Sequence, residues 1–404
     1  MVGICPMSNP IRDYAWGSRS VLAELLGEPV PSERPQAELW IGAHPGDPSR
    51  VRRGERWISL TELLSADPDG VLGGAVASRF DGELPFLLKV IAAERPLSMQ
   101  AHPDAGQARE GFSRENEAGI APPERNYHDP RPKPELVCAL TPFWALCGFR
   151  SAHEIAENFR SLQVETFATE VERLERDSES SGLERFFEAL TSAGSQRVSR
   201  AASEAVAAAA SDASEPMRNW VGKLAAQYPD DVGVLSPLFL NLVSLSPGEA
   251  LFLGPGVLHS YLRGSAIEIM GNSDNVLRGG LTTKHVDLNE LRRVLRFEST
   301  FPHSLRPRAL GQGERVFETP AEEFELAVLS VEEGASWASA NARGVEIVLV
   351  VEGQLQLTDR GTDESLVLER GGSALIPASV ESYELSGAGV AYRAGVPCAL
   401  ASGA

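Results

Sequence analysis

The sequence predicts a mainly β protein with an α-helical insert. Three observations predict it. Residues 1–148, and again those from Leu235 onward, carry short apolar runs bounded by Gly and Pro, the pattern of strands and turns. Between them, residues 150–233 turn rich in Ala, Glu and Arg. Apolar side chains recur there at helical spacing: Ile155, Phe159 and Leu162; Val171 and Leu174; Phe186, Phe187 and Leu190. Beyond Phe324, short strands recur regularly to Ala404 with turns expected at Gly353 and Gly371-Gly372, the signature of an antiparallel sandwich or jelly roll.

In chain order, Ser18 to Leu26 reads as a short helix and Leu84 to Ile91 as a buried strand. Pro103 to Glu117 reads as a helix with proline near its first turn. The insert ends in a stretch of small residues and acid, Ala201 to Ala213, and reads as a packing module rather than a coiled coil. Gly248 to Leu253 is a strand, followed by the turn Gly254-Pro255-Gly256. Ser304 to Pro320, with Pro307, Gly311 and Gly313, reads as a polar linker. Strands are then expected at Glu325–Val331, Val345–Val351, Gln354–Thr358 and Ser373–Ile376. The pattern Gly248–Leu253 is echoed at Gly372–Pro377, but no histidine follows the second copy and none occurs beyond His303. If both halves are jelly rolls, only the first can hold a histidine-bound metal.

At 404 residues the chain is long enough for two or three domains. A net charge of −19 and a pI near 4.9 argue against nucleic acid or an anionic membrane as partner. No apolar run approaches the roughly 18 residues of a spanning helix. Met1 to Asp13 lacks the basic-then-apolar pattern of a signal peptide. Cys5, Cys138, Cys147 and Cys398 are scattered without CxxC spacing, so reduced thiols and a cytoplasmic location are expected. Of 37 Lys and Arg residues only four are lysines: Lys89, Lys133, Lys223 and Lys284. Where arginine is the default cation, a lysine marks a need for a compact or titratable charge. Lys89, Lys133 and Lys284 lie in or near the segments that carry metal-ligand chemistry.

Those segments are Gln100-Ala101-His102, Lys133-Pro134-Glu135 and His259-Ser260-Tyr261. In extended backbone, residues two apart share a face, which groups Ser98, Gln100 and His102 against Met99 and Ala101. Pro134 keeps Lys133 out of the helical region, so Lys133 and Glu135 also face one way. Two imidazoles, a carboxylate and an amide oxygen make an N2O2 set suited to zinc. Only Glu135 in that set is charged, which leaves a centre of net charge near +1, fit for steadying an oxyanion. The alternative is that Gln100 is a polar strand residue and three ligands stand alone. A second polar stretch, Glu268 to Lys284, sets Arg278 before Gly279-Gly280. The glycines let backbone approach a ligand, and the guanidinium fork fits phosphate or carboxylate. The alternative is a structural loop in which Asp274 pairs with Arg278.

Several stretches together resemble one family. They are Tyr14-Ala15-Trp16-Gly17, Ala37 to Pro45, Leu84 to Val90, Leu97 to Asp104, Asn126-Tyr127 with Lys133-Pro134-Glu135, Gly256 to Tyr261, and Ser273 to Lys284 with Asp287. They resemble the type I mannose-6-phosphate isomerases, zinc-dependent enzymes of the cupin fold, across nearly the whole chain. The resemblance implies two cupin-like jelly rolls plus an inserted helical domain: 1–149 and 234–318 forming the catalytic cupin domain, 150–233 the helical insert, and 319–404 a C-terminal jelly roll without metal. It implies that Gln100, His102, Glu135 and His259 hold one Zn2+ per chain. Arg278 then matches the active-site arginine, Lys133 a lysine of proton transfer or phosphate binding, and Glu268 a carboxylate of the same pocket. Ser98, Lys133, Tyr261, Asp274 and Lys284 are expected on the substrate side.

Two positions depart from the family pattern. Ala105 stands where a lysine often follows His-Pro-Asp, and Pro132 where a histidine often precedes Lys-Pro-Glu. The second puts the ring-opening group in doubt, with His128 as a stand-in. His44 reads as lying behind the pocket, and His153 and His303 as surface residues. The expected function is interconversion of mannose 6-phosphate and fructose 6-phosphate through an enediol(ate), with a small sugar phosphate as partner and a monomeric chain. The rivals are a non-catalytic cupin that binds sugars or regulates, and a metal-dependent cupin oxygenase.

Overall fold

Along the strand Phe86–Ala93, side chains divide by parity. Leu88, Val90 and Ala92 enter a core with Leu39, Ile41, Leu136 and Ile269, while Leu87, Lys89 and Ile91 face a cavity. Two large sheets organised on this rule make up the molecule. The computed structural model describes residues 2–340, 344–397 and 400. Cys398 lies outside them.

The first sheet runs, in spatial order, Leu240–Leu245, Phe143–Phe149, His259–Gly271, Phe86–Ala93, Glu38–Gly42 and Ile11–Arg12. His259–Gly271 is its pivot. It pairs with Phe143–Phe149 through His259–Arg263, then with Phe86–Ala93 and Glu135–Ala139 through the rest of its length. Gly264 makes the bend: its φ is +123°, and a β-carbon there would stand 2.6 Å from Pro142 O. Met99–Ala101 and Leu277–Gly280 pair beside the start of this strand. Their apolar side chains Met99, Ala101 and Leu277 share a core with Phe159, Phe187 and Leu224 of the insert. The other face of Met99–Ala101 is therefore left for chemistry, as the alternation predicts.

The second sheet is ordered Arg308–Gly311, Glu314–Phe317, Glu325–Val331, Tyr383–Gly395, Glu346–Asp359, Ser373–Ile376, Cys5–Ser8, Arg50–Arg53 and Arg56–Ser59. The N-terminal segment thus departs from the sequence blocks, since Cys5 pairs with Leu375 across the chain. The core that holds Leu88 continues into Leu326, Ile347 and Leu375 of the second sheet, so the two rolls share buried surface.

Four expected elements are corrected. The linker at 304–320 contains the hairpin Arg308–Gly311 and Glu314–Phe317, because Gly311, Gln312 and Gly313 adopt positive φ and reverse the chain. Gly353 is not a turn between two strands. It sits at φ +71° within the single strand Glu346–Asp359, next to a register shift that bends it. Pro103 stands outside its helix, which starts at Ala105 with Asp104 capping the Gly106 and Gln107 amides. The strand expected from Leu84 begins at Phe86, since Pro85 has no N–H to pair. The insert is helical as expected, with helices Ala152–Ser161, Ala168–Arg176, Glu179–Thr191, Ser195–Ala209 and Pro216–Gln227.

Candidate metal centre and active site

Strand pairing brings the three separated motifs to one point. His259 lies opposite Gln100, Arg278 opposite Gln100 on its other side, and Met270 opposite Glu135. His102, Glu135 and His259 are each about 1% exposed, and their ligand atoms lie within 4.8 Å of one another. Among the described residues this is the one group of such side chains with metal-binding spacing.

Hydrogen bonds behind the rings decide which nitrogen faces inward. His102 Nδ1 is 2.7 Å from Asn275 O and His259 Nδ1 is 3.0 Å from Val257 O. A carbonyl only accepts, so each Nδ1 carries the proton and each Nε2 offers a lone pair. Burial, then Lys133, pushes the His102 pKa down to about 4, so the ring is neutral at physiological pH. His102 Nε2 then stands 3.1 Å from Glu135 Oε1 and His259 Nε2 3.3 Å from Glu135 Oε2, with lone pairs facing lone pairs. His102 Nε2 is buried without a hydrogen-bond donor. A cation resolves that repulsion, and a donor set of two neutral imidazoles and one carboxylate fits zinc. Gln100 completes the ring of side chains. Its amide lies 3.5 Å from His259 Nε2 through Nε2, while Oε1 accepts from Ser98 Oγ at 3.2 Å. A half-turn of the amide puts Oε1 on the ligand side.

Above this cluster opens a cavity of about 1030 Å³. Ser98, Gln100, Lys133, Glu135, Tyr261, Glu268, Asp274, Arg278 and Lys284 all line it, so every expected site residue except the two recessed imidazoles borders one space. Lys133 Nζ donates to Glu135 Oε1 at 2.7 Å. Burial would raise the Glu135 carboxyl, but the charge of Lys133 outweighs it and holds the group well below the usual carboxylate range. Glu268 lies between Tyr261 Oη at 3.0 Å and Lys89 Nζ at 3.2 Å. Burial raises its pKa against the opposing charge of Lys89. Arg278 Nε is buried and has no hydrogen-bond partner among the described residues.

Tyr261 and Glu268 are seven residues apart on one strand, and a regular strand would point them to opposite faces. The register shift between Tyr261 and Arg263 inserts one residue and restores both to the cavity. Three expectations change here. Asp274 does not pair with Arg278: its carboxylate is 3.2 Å from His44 Nε2, and its N–H donates to Asp129 at 2.9 Å. His44 itself lines the cavity rather than lying behind it, with Nδ1 accepting from Gly46 N–H at 3.1 Å. Tyr261 lines the cavity, but its hydroxyl is committed to the carboxylates, lying also 3.3 Å from Glu135 Oε2. His128 lines the cavity, while His153, His285 and His303 are exposed.

Sequence reasoning marked Lys89 by its rarity but gave it no place in the site, and it missed Glu38 and Trp40. Lys89 Nζ is 3.6 Å from Glu38 and 5.5 Å from the Trp40 ring, and Trp40 Nε1 donates to Glu38 at 2.5 Å. Burial opposes the Lys89 charge, but Glu38, Glu268 and Glu135 outweigh it and raise its pKa above the ordinary lysine value. The signal was present: a lone charge within an eight-residue apolar strand needs partners.

The chain matches the models of the phosphomannose isomerase type I catalytic domain over residues 4–152, the type I helical insertion domain over 158–240, and the mannose-6-phosphate isomerase cupin domain over 313–394. Mannose-6-phosphate isomerase of Salmonella typhimurium is 40% identical over 392 residues, covering 94% of this chain and 96% of its own. The Homo sapiens protein of the same name is 32% identical, with 95% of each covered. A zinc-bound crystal structure of mannose 6-phosphate isomerase superposes with a TM-score of 0.90 at 37% identity, covering 98% of this chain and 100% of that one. An arginine-to-alanine variant of phosphomannose isomerase from Salmonella typhimurium gives 0.89 at 36% identity, with the same coverage. Likeness at this level, carried from the N-terminal strands through the insert to the last roll, makes the chain an enzyme of the type I phosphomannose isomerase family.

Proposed function

We propose that the enzyme interconverts mannose 6-phosphate and fructose 6-phosphate through an enediol(ate), as a monomer holding one zinc ion on Gln100, His102, Glu135 and His259. The observation that carries this reading is the convergence of rare lysines. Three of the four in the chain, Lys89, Lys133 and Lys284, border the one cavity beside the His–Glu–His cluster, joined there by Arg278. In a chain of net charge −19, that concentration of cations fits an anionic substrate.

Held by Gln100, His102, Glu135 and His259, a zinc ion would supply Lewis-acid charge for the developing oxyanion. The chain's own groups do the rest. A base takes the proton from C2 of the open-chain aldose, and the C–H electron pair becomes the C1–C2 double bond while the carbonyl pair moves onto O1. The same proton, or one from solvent, is returned to C1 by the C1–C2 double-bond pair, while the O2 hydroxyl proton passes to O1 and the O2 pair forms the C2 carbonyl of the ketose. Lys133 is the assigned proton carrier, since it sits on the cavity wall without being a ligand. Glu268 is the competing base, favoured by the burial that raises its pKa. Arg278 steadies the enediolate, Lys284 and Ser98 take the phosphate and sugar hydroxyls, and Tyr261 positions Glu135 and Glu268.

The test is a coupled isomerase assay with metal analysis on the same preparation, run in deuterated water. Turnover of mannose 6-phosphate with zinc near one per chain, and deuterium entering C1 of the ketose or, in the reverse direction, C2 of the aldose, supports the reading. Metal-dependent oxygen uptake without isomerisation, or sugar binding without turnover, overturns it in favour of an oxygenase or a binding protein.

A further inference from the structure

The helical insert reaches the cavity at one corner. Ala226, Gln227 and Tyr228, at the end of its last helix, form part of the wall. Just beyond them, Asp231 ties the insert to the segment that carries Lys284. Its Oδ1 accepts the Gly233 N–H at 2.7 Å and its Oδ2 accepts the Leu281 N–H at 2.8 Å. Leu281 is buried and holds a left-handed φ of +54°, a conformation that costs a bulky residue energy unless its surroundings impose it. Two glycines make the close approach feasible. A β-carbon on Gly280 would stand 2.7 Å from Asp231 Oδ1, and one on Gly233 would stand 2.6 Å from Leu281 Cγ.

The two cations on this segment depend on Asp231 unequally. Arg278 is held by its own strand, paired with Gln100. Lys284 lies past the left-handed residue, in a stretch without strand pairing, where its N–H meets Thr282 Oγ1 at 3.0 Å and its Nζ sits 5.2 Å from the Tyr14 ring.

We propose that Asp231 is a positioning residue for the substrate phosphate: by fixing the left-handed turn at Leu281 it sets Lys284 at the cavity mouth, which makes the helical insert part of the phosphate-binding apparatus. This rests on the isomerase reading above, and deepens it. Asp231 touches no reacting atom, so its loss changes how the phosphate is held rather than how the proton moves.

The experiment compares Asp231→Ala, Asp231→Asn, Lys284→Ala and the Asp231→Ala/Lys284→Ala double variant in the zinc-loaded full-length enzyme. Asp231→Ala is expected to raise KM for mannose 6-phosphate about tenfold, the usual scale for a lost charge-assisted hydrogen bond, with kcat within about twofold. The inhibition constant for inorganic phosphate is expected to rise in step. Asp231→Asn keeps one acceptor and is expected to fall between, which preserves the test if the alanine variant folds poorly. The double variant is expected to match Lys284→Ala alone, because both changes remove one interaction. A structural role would lower Tm and active fraction while leaving KM and the phosphate constant alone. Unchanged constants in both Asp231 variants, or full additivity with Lys284→Ala, overturn the proposal. A parent enzyme that does not turn over mannose 6-phosphate instead overturns the isomerase reading, before any variant is compared.

Discussion

At the scale of single residues, the cavity separates groups that share a charge but not a task. Arg278 has a buried Nε with no partner among the described residues, and its strand holds it beside Gln100. A guanidinium left unpaired in that place is suited to charge that develops during reaction. Arg278→Lys is therefore expected to lower kcat and kcat/KM together by about 10²–10³. Steady-state kinetics on mannose 6-phosphate check this, and an unchanged kcat at saturation would move Arg278 to phosphate anchoring. Lys133 shares a face with Glu135 and stands outside the proposed ligand set, so Lys133→Ala is expected to lower kcat by about 10²–10⁴ while zinc stays bound. Near-normal kcat with only a raised KM would hand the proton to Glu268. Residue identity was the most legible layer of the sequence. Lys133 and Arg278 stand out from their neighbours by chemistry alone, whereas Lys89 was marked only by its rarity, and its role was hidden because its partners, Glu38 and Glu268, lie on other strands.

At the scale of elements, the strand His259–Gly271 does most to shape the site. It contributes His259 and Tyr261 at one end and Glu268 at the other, and only the register shift after Tyr261 lets both ends face the cavity. The bend at Gly264 carries the strand from one layer to the other. Gly264→Ala is expected to destabilise the protein by about 1–3 kcal/mol, since the side chain meets Pro142 O in a backbone conformation that L residues avoid. Urea unfolding measures this, and an unmoved midpoint with normal zinc content would refute the strain argument. Alternation along short strands was readable in advance, as Met99 and Ala101 against Gln100 and His102 show. The bulge was not, because a one-residue shift leaves no mark in an apolar pattern and depends on what the neighbouring strand requires.

At the scale of the whole molecule, the two rolls are tied by a common core and by the Cys5–Ser8 strand, which pairs with Ser373–Ile376. His259→Ala or Glu135→Ala is expected to remove zinc and activity together while the C-terminal roll stays folded at 25 °C. Metal analysis, activity and the near-ultraviolet signal of Trp337 in that roll report the three outcomes. Melting should remain one transition at a lower temperature, because loss of a ligand that binds only the folded state removes its linkage stabilisation from a unit with shared core. Full zinc occupancy in either variant would sink the ligand assignment, and two separated transitions would sink the shared-core argument. No helix among the described residues is long and apolar enough to cross a membrane.

What the sequence by itself determined was the alphabet and the local geometry. Composition, hydrophobic period and Gly–Pro punctuation marked β regions around a helical insert, and ligand types on extended backbone marked a candidate metal set with Gln100 left open, because both follow from contacts within a few residues. Tertiary structure alone decided the rest. It showed that the segment read as a linker forms a sheet-edge hairpin, that Gly353 bends a strand rather than ending it, and that Asp274 turns to His44. It also gathered Lys89, Glu38 and Asp231 around chemistry carried by distant segments. Apart from the hairpin, whose strands are neighbours in sequence, those outcomes rest on partners 36 to 230 residues away along the chain, and a pairing over such a distance is set by register and packing, which no local pattern encodes.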